Sequence, residues 1–138
     1  MDKGDGVLIV SVTILVLYFV GTTSATTWSV DGSGGADFTR IQDAMNTASV
    51  GDTILVHSGI YYENVVVDKS VTLMGNGQPI VDAGGTGNAI TLTASGIILE
   101  GFNVTNSGSS ISDGGIKKAP FGCKSIVARA KHWMVPIR

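Results

Sequence analysis

The chain has 138 residues, of which 14% are charged and 19 are glycine. This length holds one small domain, and the composition favours many short strands joined by tight turns over a helical bundle. The net charge of -2 averages two unlike parts, because residues 26–116 carry nine acids and two bases, whereas residues 117–138 carry six bases and no acid. An acidic body disfavours nucleic acid as a partner, since phosphate binding needs a basic surface. The single cysteine, Cys123, excludes a disulfide framework within the chain.

An uncharged run, VLIVSVTILVLYFV at residues 7–20, follows Lys3 and precedes the small residues GTTSA. This order is typical of a secretory signal peptide that ends at Ala25. The uncharged stretch continues to Val30, and roughly 20 apolar residues span a bilayer, so an uncleaved membrane anchor is the alternative for residues 1–25. Both interpretations predict a secreted or cell-surface protein that meets the membrane only through this segment.

A short amphipathic helix is predicted in TRIQDAMNTASVGD, residues 39–52. Thr39 and Gln42 have the spacing of a capping box, and Gly51 with Asp52 ends the helix. One face is apolar at positions i, i+3, i+4 and i+7: Ile41, Ala44, Met45 and Ala48. A single helix followed only by strands suits the end of a solenoid, where it covers apolar side chains and unpaired strand edges. An ordinary helix of an α+β domain is the alternative.

Short strand signals separated by glycine and asparagine turns follow the helix. They are Thr53–His57, Asn64–Asp68, Ser70–Gly75, Pro79–Ala83, Ala89–Ala94, Gly96–Phe102 and Asn103–Asn106. The pattern repeats at one constant offset of 26 positions, which aligns Val71 with Ile97, Leu73 with Leu99, Gly75 with Gly101 and Ile90 with Ile116. A period in the twenties with aliphatic residues at fixed phase predicts coils that stack on one another.

The stretch DGSGGADFTRIQDAMNTASVGDTILVHSGIYYENVVVDKSVTLMGNG resembles the opening of right-handed parallel β-helix proteins of the pectin-lyase-like superfamily. Its continuation IVDAGGTGNAITLTASGIILEGFNVTNSG looks most like NosD-like and archaeal cell-surface β-helix repeats. The resemblance covers about Trp28 to Ile116. It implies an all-β, right-handed parallel β-helix with an N-terminal capping helix in residues 26–116. Lyases, esterases, adhesins and binding proteins share this opening, so the resemblance implies a fold and no particular activity.

The segment GIYYE, Gly59–Glu63, also matches the first signature of pectinesterases, whose later catalytic motifs do not occur in this sequence. We expect a structural role for it. Gly59 would lie at a turn between strands, while one of Tyr61 and Tyr62 packs on the helix and the other faces water.

The repeat predicts a break after Ile116, because the same offset aligns Lys118 with the inward-facing Leu92. A lysine in an aliphatic column is strongly disfavoured without a partner. The hypothesis is that the native reading frame is lost near Lys117 and that residues 117–138 are not part of the β-helix. The alternative is a basic segment that binds an anionic membrane surface or polymer.

NosD-like proteins are associated with copper, so the resemblance implies that soft metal ligands should be sought in this sequence. The soft ligands His57, Met45, Met74 and Cys123 are scattered without a pair at ligand spacing, so no metal site and no cofactor is predicted.

Two further kinds of site have candidate residues. Asp68, Asp82 and Glu100 would hold Ca²⁺ if they met on one face, but solvated carboxylates at turns are the commoner arrangement. Asn103-Val104-Thr105 is a glycosylation sequon, and a turn role for Asn103 is the equal alternative.

A pair of carboxylates suited to general acid and base catalysis is not identifiable, so the sequence predicts no catalytic residues. We therefore expect a non-catalytic, exported or cell-surface β-helix module that binds carbohydrate, a cell-envelope polymer or another extended ligand. The alternative is the truncated N-terminal part of a polysaccharide lyase or pectinesterase, inactive as it stands. A product without independent function is a third possibility, because solenoids generally need three or more repeats for stability.

Overall fold

The computed structural model describes residues 24–108, 115–118 and 129–132, with Lys118 and the last four residues described by their backbone alone. Its elements are β1 (Thr27–Val30), α1 (Ile41–Thr47), β2 (Thr53–Val56), β3 (Ile60–Tyr62), β4 (Val65–Val67), β5 (Thr72–Gly75), β6 (Ile80–Asp82), β7 (Ile90–Leu92), β8 (Ile98–Thr105), β9 (Ile116–Lys118) and β10 (Arg129–His132). The described chain is thus mostly strand, with one short helix.

All strand pairs within the described residues are parallel, and they form three stacks. The first stack is β1, β2, β5 and the beginning of β8; the middle stack is β3, β6 and the end of β8; the third stack is β4, β7 and β9. The chain visits the three stacks in turn and then returns to the first, one level further along. This arrangement is compatible with an all-β parallel solenoid, as the sequence predicts.

Strand residues alternate between the interior and the outer surface, so that buried side chains stack in columns across neighbouring strands. Ile54 pairs with Leu73 and Leu73 with Leu99, and all three are at most 1% exposed. In the third stack Ile90 pairs with Ile116, and the next pair is Leu92 with Lys118. The constant offset read from the sequence is therefore confirmed for the step from β5 to β8 and from β7 to β9.

The predicted strands match β2 and β4 to β7, with small differences at their ends. The two predicted strands at residues 96–102 and 103–106 form one continuous strand, β8. Four strands were not predicted. β1 follows the long uncharged run without a break in composition, and β3 lies inside the GIYYE segment, of which only Gly59 was assigned to a turn between strands. β9 and β10 lie mostly or wholly in residues 117–138, which were predicted to be outside the β-helix.

The strand β8 changes stack at Gly101, where the chain has φ +77°. Residues before it pair with β5, and residues after it pair with β6. A Cβ atom at Gly75 would lie 2.4 Å from the carbonyl oxygen of Gly101, and a Cβ atom at Gly101 would lie 2.4 Å from that of Gly75. The alignment of these two glycines in the sequence thus reflects a close approach of two backbones.

Helix α1 covers the end of the stacks at β4, β1 and β2, as predicted. Its predicted apolar face is confirmed, since Ile41, Ala44 and Met45 are fully buried and Ala48 is 4% exposed. The helix ends at Thr47, earlier than predicted, because Ala48 adopts an extended conformation at φ −61° and ψ 149°.

The predicted signal or anchor segment lies almost wholly outside the described residues, which begin at residue 24. Among the described residues, no helix has both the length and the apolar character needed to cross a membrane. In the predicted tail, the backbone of β10 pairs with β8, Arg129 lying opposite Glu100. Most of residues 119–138 are outside the described part, so the proposed loss of reading frame stays a prediction.

Candidate functional site

The first turn of α1 is capped by Glu63, which lies in the turn between β3 and β4. The backbone N–H groups of Ile41 and Gln42 donate to its two carboxylate oxygens, both at 3.0 Å. Glu63 is 7% exposed, so these bonds stabilise a buried charge at the positive end of the helix. The predicted capping box is wrong: Arg40 is the N-cap, and no side chain within the helix start supplies the acceptor.

The side chain of Gln42 has a different role from the one predicted. Its Oε1 accepts from the backbone N–H of Val66 at 2.8 Å, and its Nε2 donates to the carbonyl of Val66 at 3.4 Å. The amide thus pairs with the edge of β4 as a neighbouring strand would, and it covers backbone groups that would otherwise template another chain. Nε2 also donates to Asn46 Oδ1 at 3.0 Å.

The other end of α1 is closed by Lys69 and Asp52. Lys69 Nζ donates to the carbonyl of Ala48 at 2.8 Å. Asp52, 5% exposed, accepts from the backbone N–H groups of Ser49 at 2.9 Å and Thr26 at 2.8 Å. Its Oδ2 also accepts from the indole N–H of Trp28 at 3.0 Å.

These hydrogen bonds, the one from Ser49 first, hold the pKa of Asp52 below its ordinary value. Asp52 therefore stays ionised and ties the beginning of β1 to the segment between α1 and β2. Together with Glu63, it accounts for both buried acidic residues in the described part of the chain. Both carboxylates are held by backbone N–H groups, which gives them a structural role.

The GIYYE segment, Gly59–Glu63, also has a structural role, as expected. Tyr61 is 3% exposed and Tyr62 is 73% exposed, which confirms that one tyrosine is buried and the other faces water. The Tyr61 hydroxyl donates to the carbonyl of His57 at 2.8 Å and lies 3.4 Å from the N–H of Gly32. Burial raises the pKa of Tyr61 above its ordinary value. Gly59 lies immediately before β3, with φ +155°.

The middle stack presents two outward columns, which we call the Tyr62 face. One column is Tyr62, Asp82 and Thr105, and the other is Ile60, Ile80 and Asn103. The tyrosine and Ile60, which is 54% exposed, protrude most; the other four side chains are half-buried. The face therefore places an aromatic ring and aliphatic groups beside a carboxylate, a hydroxyl and an amide.

Asp82 is held in a fixed orientation on this face. Its Oδ1 accepts from the N–H of Gly84, and its Oδ2 accepts from the side-chain amide of Asn106, both at 2.8 Å. Asn106 adopts φ +51°, a conformation that asparagine tolerates at a turn. The loop after β6 and the end of β8 are thereby joined.

The three carboxylates considered for Ca²⁺ are not brought together. Asp68 is exposed after β4 in the third stack, Asp82 ends β6 in the middle stack, and Glu100 lies in β8 opposite Met74 of β5. Within the described part of the chain, no three histidine, cysteine or acidic residues lie close enough to hold a metal ion.

The soft ligands are likewise distributed over different environments. Met45 is fully buried in α1, and Met74 is 39% exposed on the outer surface of β5. His57 is half-buried just after β2, where its backbone N–H donates to the carbonyl of Val30 at 2.8 Å. Cys123 lies outside the described residues.

Asn103 lies inside β8, opposite Ile80, and its backbone N–H donates to the carbonyl of Pro79 at 2.9 Å. The alternative of a turn asparagine is therefore wrong for this residue. Its neighbours Phe102 and Val104 are buried, so its side chain is on the outer surface of the strand. Glycosylation of this sequon stays a prediction.

Sequence reasoning missed the roles of Glu63, Asp52 and Gln42. A signal is present for the two acids, because each is in phase with apolar residues at every second position, Glu63 with Tyr61 and Val65 and Asp52 with Ile54 and Val56. An acid is rare at such an inward position without partners. The partners were not identifiable from the sequence, because they are far away along the chain. Glu63 binds the amides of residues 22 and 21 positions earlier, Gln42 binds Val66, 24 positions later, and Asp52 binds Thr26, 26 positions earlier.

The described chain is mostly β-strand, and its parallel strands stack in register, which is compatible with a solenoid. No protein family and no solved structure that was compared matches the chain. A protein described as a cell surface glycoprotein from Methanothermus fervidus is 41% identical to it over 68 residues. This alignment covers 47% of the chain and 12% of the relative, so the chain spans about one eighth of the length of that protein.

Proposed function

We propose that the chain is a non-catalytic, surface-exposed module: the capped first coils of a right-handed parallel β-helix of the pectin-lyase-like type, most similar to NosD-like and cell-surface repeats. It lies outside the cytoplasm and binds carbohydrate or another extended polymer of the cell envelope along its flank. The observation that carries the location is the 41% identity over 68 residues to a protein described as a cell surface glycoprotein.

Several features of the fold support a binding module. Glu63 and Asp52 are engaged with backbone N–H groups at the capped end, and Asp82 is engaged with Gly84 and Asn106. Glu63 and Asp52 thus stabilise the architecture, whereas Asp82 belongs to an outward column and is held in a fixed orientation there. The outward columns repeat side chains at strand spacing, about 4.8 Å, along the direction in which the coils stack. An extended polymer can contact such columns at several points.

The location is testable by cysteine labelling of intact cells. In a Cys123→Ser background, Val50→Cys places a thiol at a position that is 72% exposed, and Val56→Cys places one at a fully buried position. We expect a membrane-impermeant maleimide to label the Val50→Cys variant of the full chain equally in intact and lysed cells. The Val56→Cys variant serves as the control for unfolding, since a folded chain protects its thiol in both samples.

Labelling of the Val50→Cys variant only after lysis would place the body of the protein inside the cell and overturn the proposal. A cleaved signal and a retained anchor are distinguished in the same samples by the mass of the labelled chain and by its presence in the medium.

A further inference from the structure

We infer that the Tyr62 face is a binding site for a neutral oligosaccharide, with Tyr62 as the stacking platform and Asp82 and Thr105 as hydrogen-bonding partners of sugar hydroxyls. This inference rests on the proposed function, since it names the surface and the ligand class for the proposed polymer binding.

The platform is the ring of Tyr62. At 73% exposure it is the most exposed large apolar side chain in the described part of the chain, ahead of Val50 at 72%. Tyrosine offers a flat apolar ring with a polar tip at a low entropic cost of ordering, which suits a surface that is partly wetted. Ile60, 54% exposed in the neighbouring column of the same strand, extends the apolar area.

Polar groups lie beside that platform at the spacing of neighbouring strands. Tyr62 pairs with Asp82, and Asp82 pairs with Thr105, so the three residues succeed one another at about 4.8 Å per strand. A pyranose ring has an apolar face of C–H groups and a rim of hydroxyls. The face offers a matching combination of one ring and a line of hydrogen-bonding side chains.

Asp82 is prepared for this role by its fixed orientation. The N–H of Gly84 and the amide of Asn106 each use one of its oxygens as an acceptor. A carboxylate has about four lone-pair sites, so acceptor capacity remains for sugar hydroxyls. Because the carboxylate does not have to reorganise when ligand binds, the conformational cost of binding is reduced.

Charge favours a neutral sugar over an acidic one. Asp82 supplies negative charge at the face itself, and residues 26–116 carry nine acids against two bases; the backbone register of β10 adds one base, Lys131, opposite Asn103 at the edge of the face. A polyuronate or a phosphorylated polymer would meet like charge, which is unfavourable at an interface. The ligand class is therefore a chain of neutral hexoses or N-acetylhexosamines.

The test uses the full 138-residue chain, produced without N-glycosylation so that Asn103 is unmodified, and kept in mild detergent because of the apolar run at residues 7–20. Binding of cellohexaose, mannohexaose and chitohexaose is measured by calorimetry, with hexagalacturonate as the acidic comparison. We expect at least one neutral hexasaccharide to bind and hexagalacturonate to bind more weakly.

The variants assign the surface. Tyr62→Ala should raise Kd about tenfold, as expected for a residue at the centre of a contact, whereas Tyr62→Phe should change it less than about threefold. Thr105→Val keeps the β-branched shape and removes the hydroxyl, and it should raise Kd by about three- to tenfold. Met74→Ala, on the outer surface of β5, is the matched control and should leave Kd unchanged. Unfolding midpoints of all variants are compared with that of the wild type.

Binding by the wild type that survives Tyr62→Ala in a folded variant would overturn this inference and leave the proposed function standing on another surface. Tighter binding of hexagalacturonate than of every neutral sugar would also overturn it. If no hexasaccharide binds to the wild type while cysteine labelling confirms exposure on intact cells, the carbohydrate site is refuted and the surface location is retained.

Discussion

Replacing Glu63 with alanine should lower the free energy of unfolding more than replacing any other acidic residue in the described part of the chain. The substitution leaves the N–H of Ile41, a fully buried residue, without an acceptor, while the N–H of half-buried Gln42 gains access to water. A hydrogen bond to a charged group contributes about 1.5–3 kcal/mol, and the loss of a helix N-cap costs about 0.5–2 kcal/mol. We expect the free energy of unfolding to fall by about 3 kcal/mol, a large fraction of the roughly 5–15 kcal/mol typical of a domain.

The assay is equilibrium denaturation in urea, followed by circular dichroism and by tryptophan fluorescence. Glu63→Gln retains one carbonyl oxygen as an acceptor, so it should lose about half as much as Glu63→Ala. Glu100→Ala changes the only other glutamate of the chain at a half-buried, outward position of β8 and should stay within about 0.5 kcal/mol of the wild type. Hydrogen exchange of the Ile41 and Gln42 amides reports on the cap directly.

Two results would refute this reasoning. A folded Glu63→Ala variant within about 0.5 kcal/mol of the wild type would mean that the carboxylate contributes little net stability. Unchanged exchange protection of the Ile41 amide in that variant would mean that another acceptor satisfies this donor.

Four further predictions concern other positions. Gln42→Ala should cost about 1 kcal/mol and increase self-association in light scattering at high concentration, because the edge of β4 loses its amide partner; a monodisperse variant contradicts this. Gly101→Ala should cost about 3 kcal/mol or more in urea denaturation, because it combines φ +77° with a backbone clash, whereas Gly85→Ala, at φ +83° in open space, should cost about 1 kcal/mol. The pKa of Asp52 is lower in the folded state than in the unfolded state, so the unfolded state binds the proton more tightly. The stability that ionised Asp52 contributes is present above about pH 4 and is lost as the pH falls through the lower folded-state pKa. Asp52→Asn should therefore flatten the acid limb of a curve of unfolding free energy against pH. In a host that glycosylates exported proteins, Asn103→Gln should remove a glycan mass from the intact chain, and an unmodified wild type would refute the sequon.

The local part of the fold was accessible from the sequence. Short runs of β-branched and aliphatic residues bounded by turn residues mark β2 and β5, and the spacing of Ile41, Ala44 and Met45 marks the buried face of α1. The constant offset of the repeat could be read because the step from β5 to β8 equals the step from β7 to β9, so that Leu73 aligns with Leu99 as Ile90 does with Ile116.

The first coil was harder to predict, because its steps differ in length. Thr53 pairs with Thr72, 19 positions on, while Val65 pairs with Ile90, 25 positions on. Turns of different length absorb the difference, and no fixed period in the sequence relates these strands. β1 pairs with β2 and β3 pairs with β6 because whole coils stack on one another, and the residues of β1 and β3 do not by themselves indicate these pairs.

By itself, the sequence determined most of the strand succession, the helix, the repeat and the acidic character of the body, because each depends on residues close together in the chain or at one constant offset. Only the tertiary structure decided which acids are structural and which face the solvent. Glu63 caps a helix whose first residues precede it by 22 and 21 positions, and Asp82 is oriented by Asn106, 24 positions later. Such partners meet only when the coils are stacked, because the lengths of the intervening turns set which side chains become neighbours.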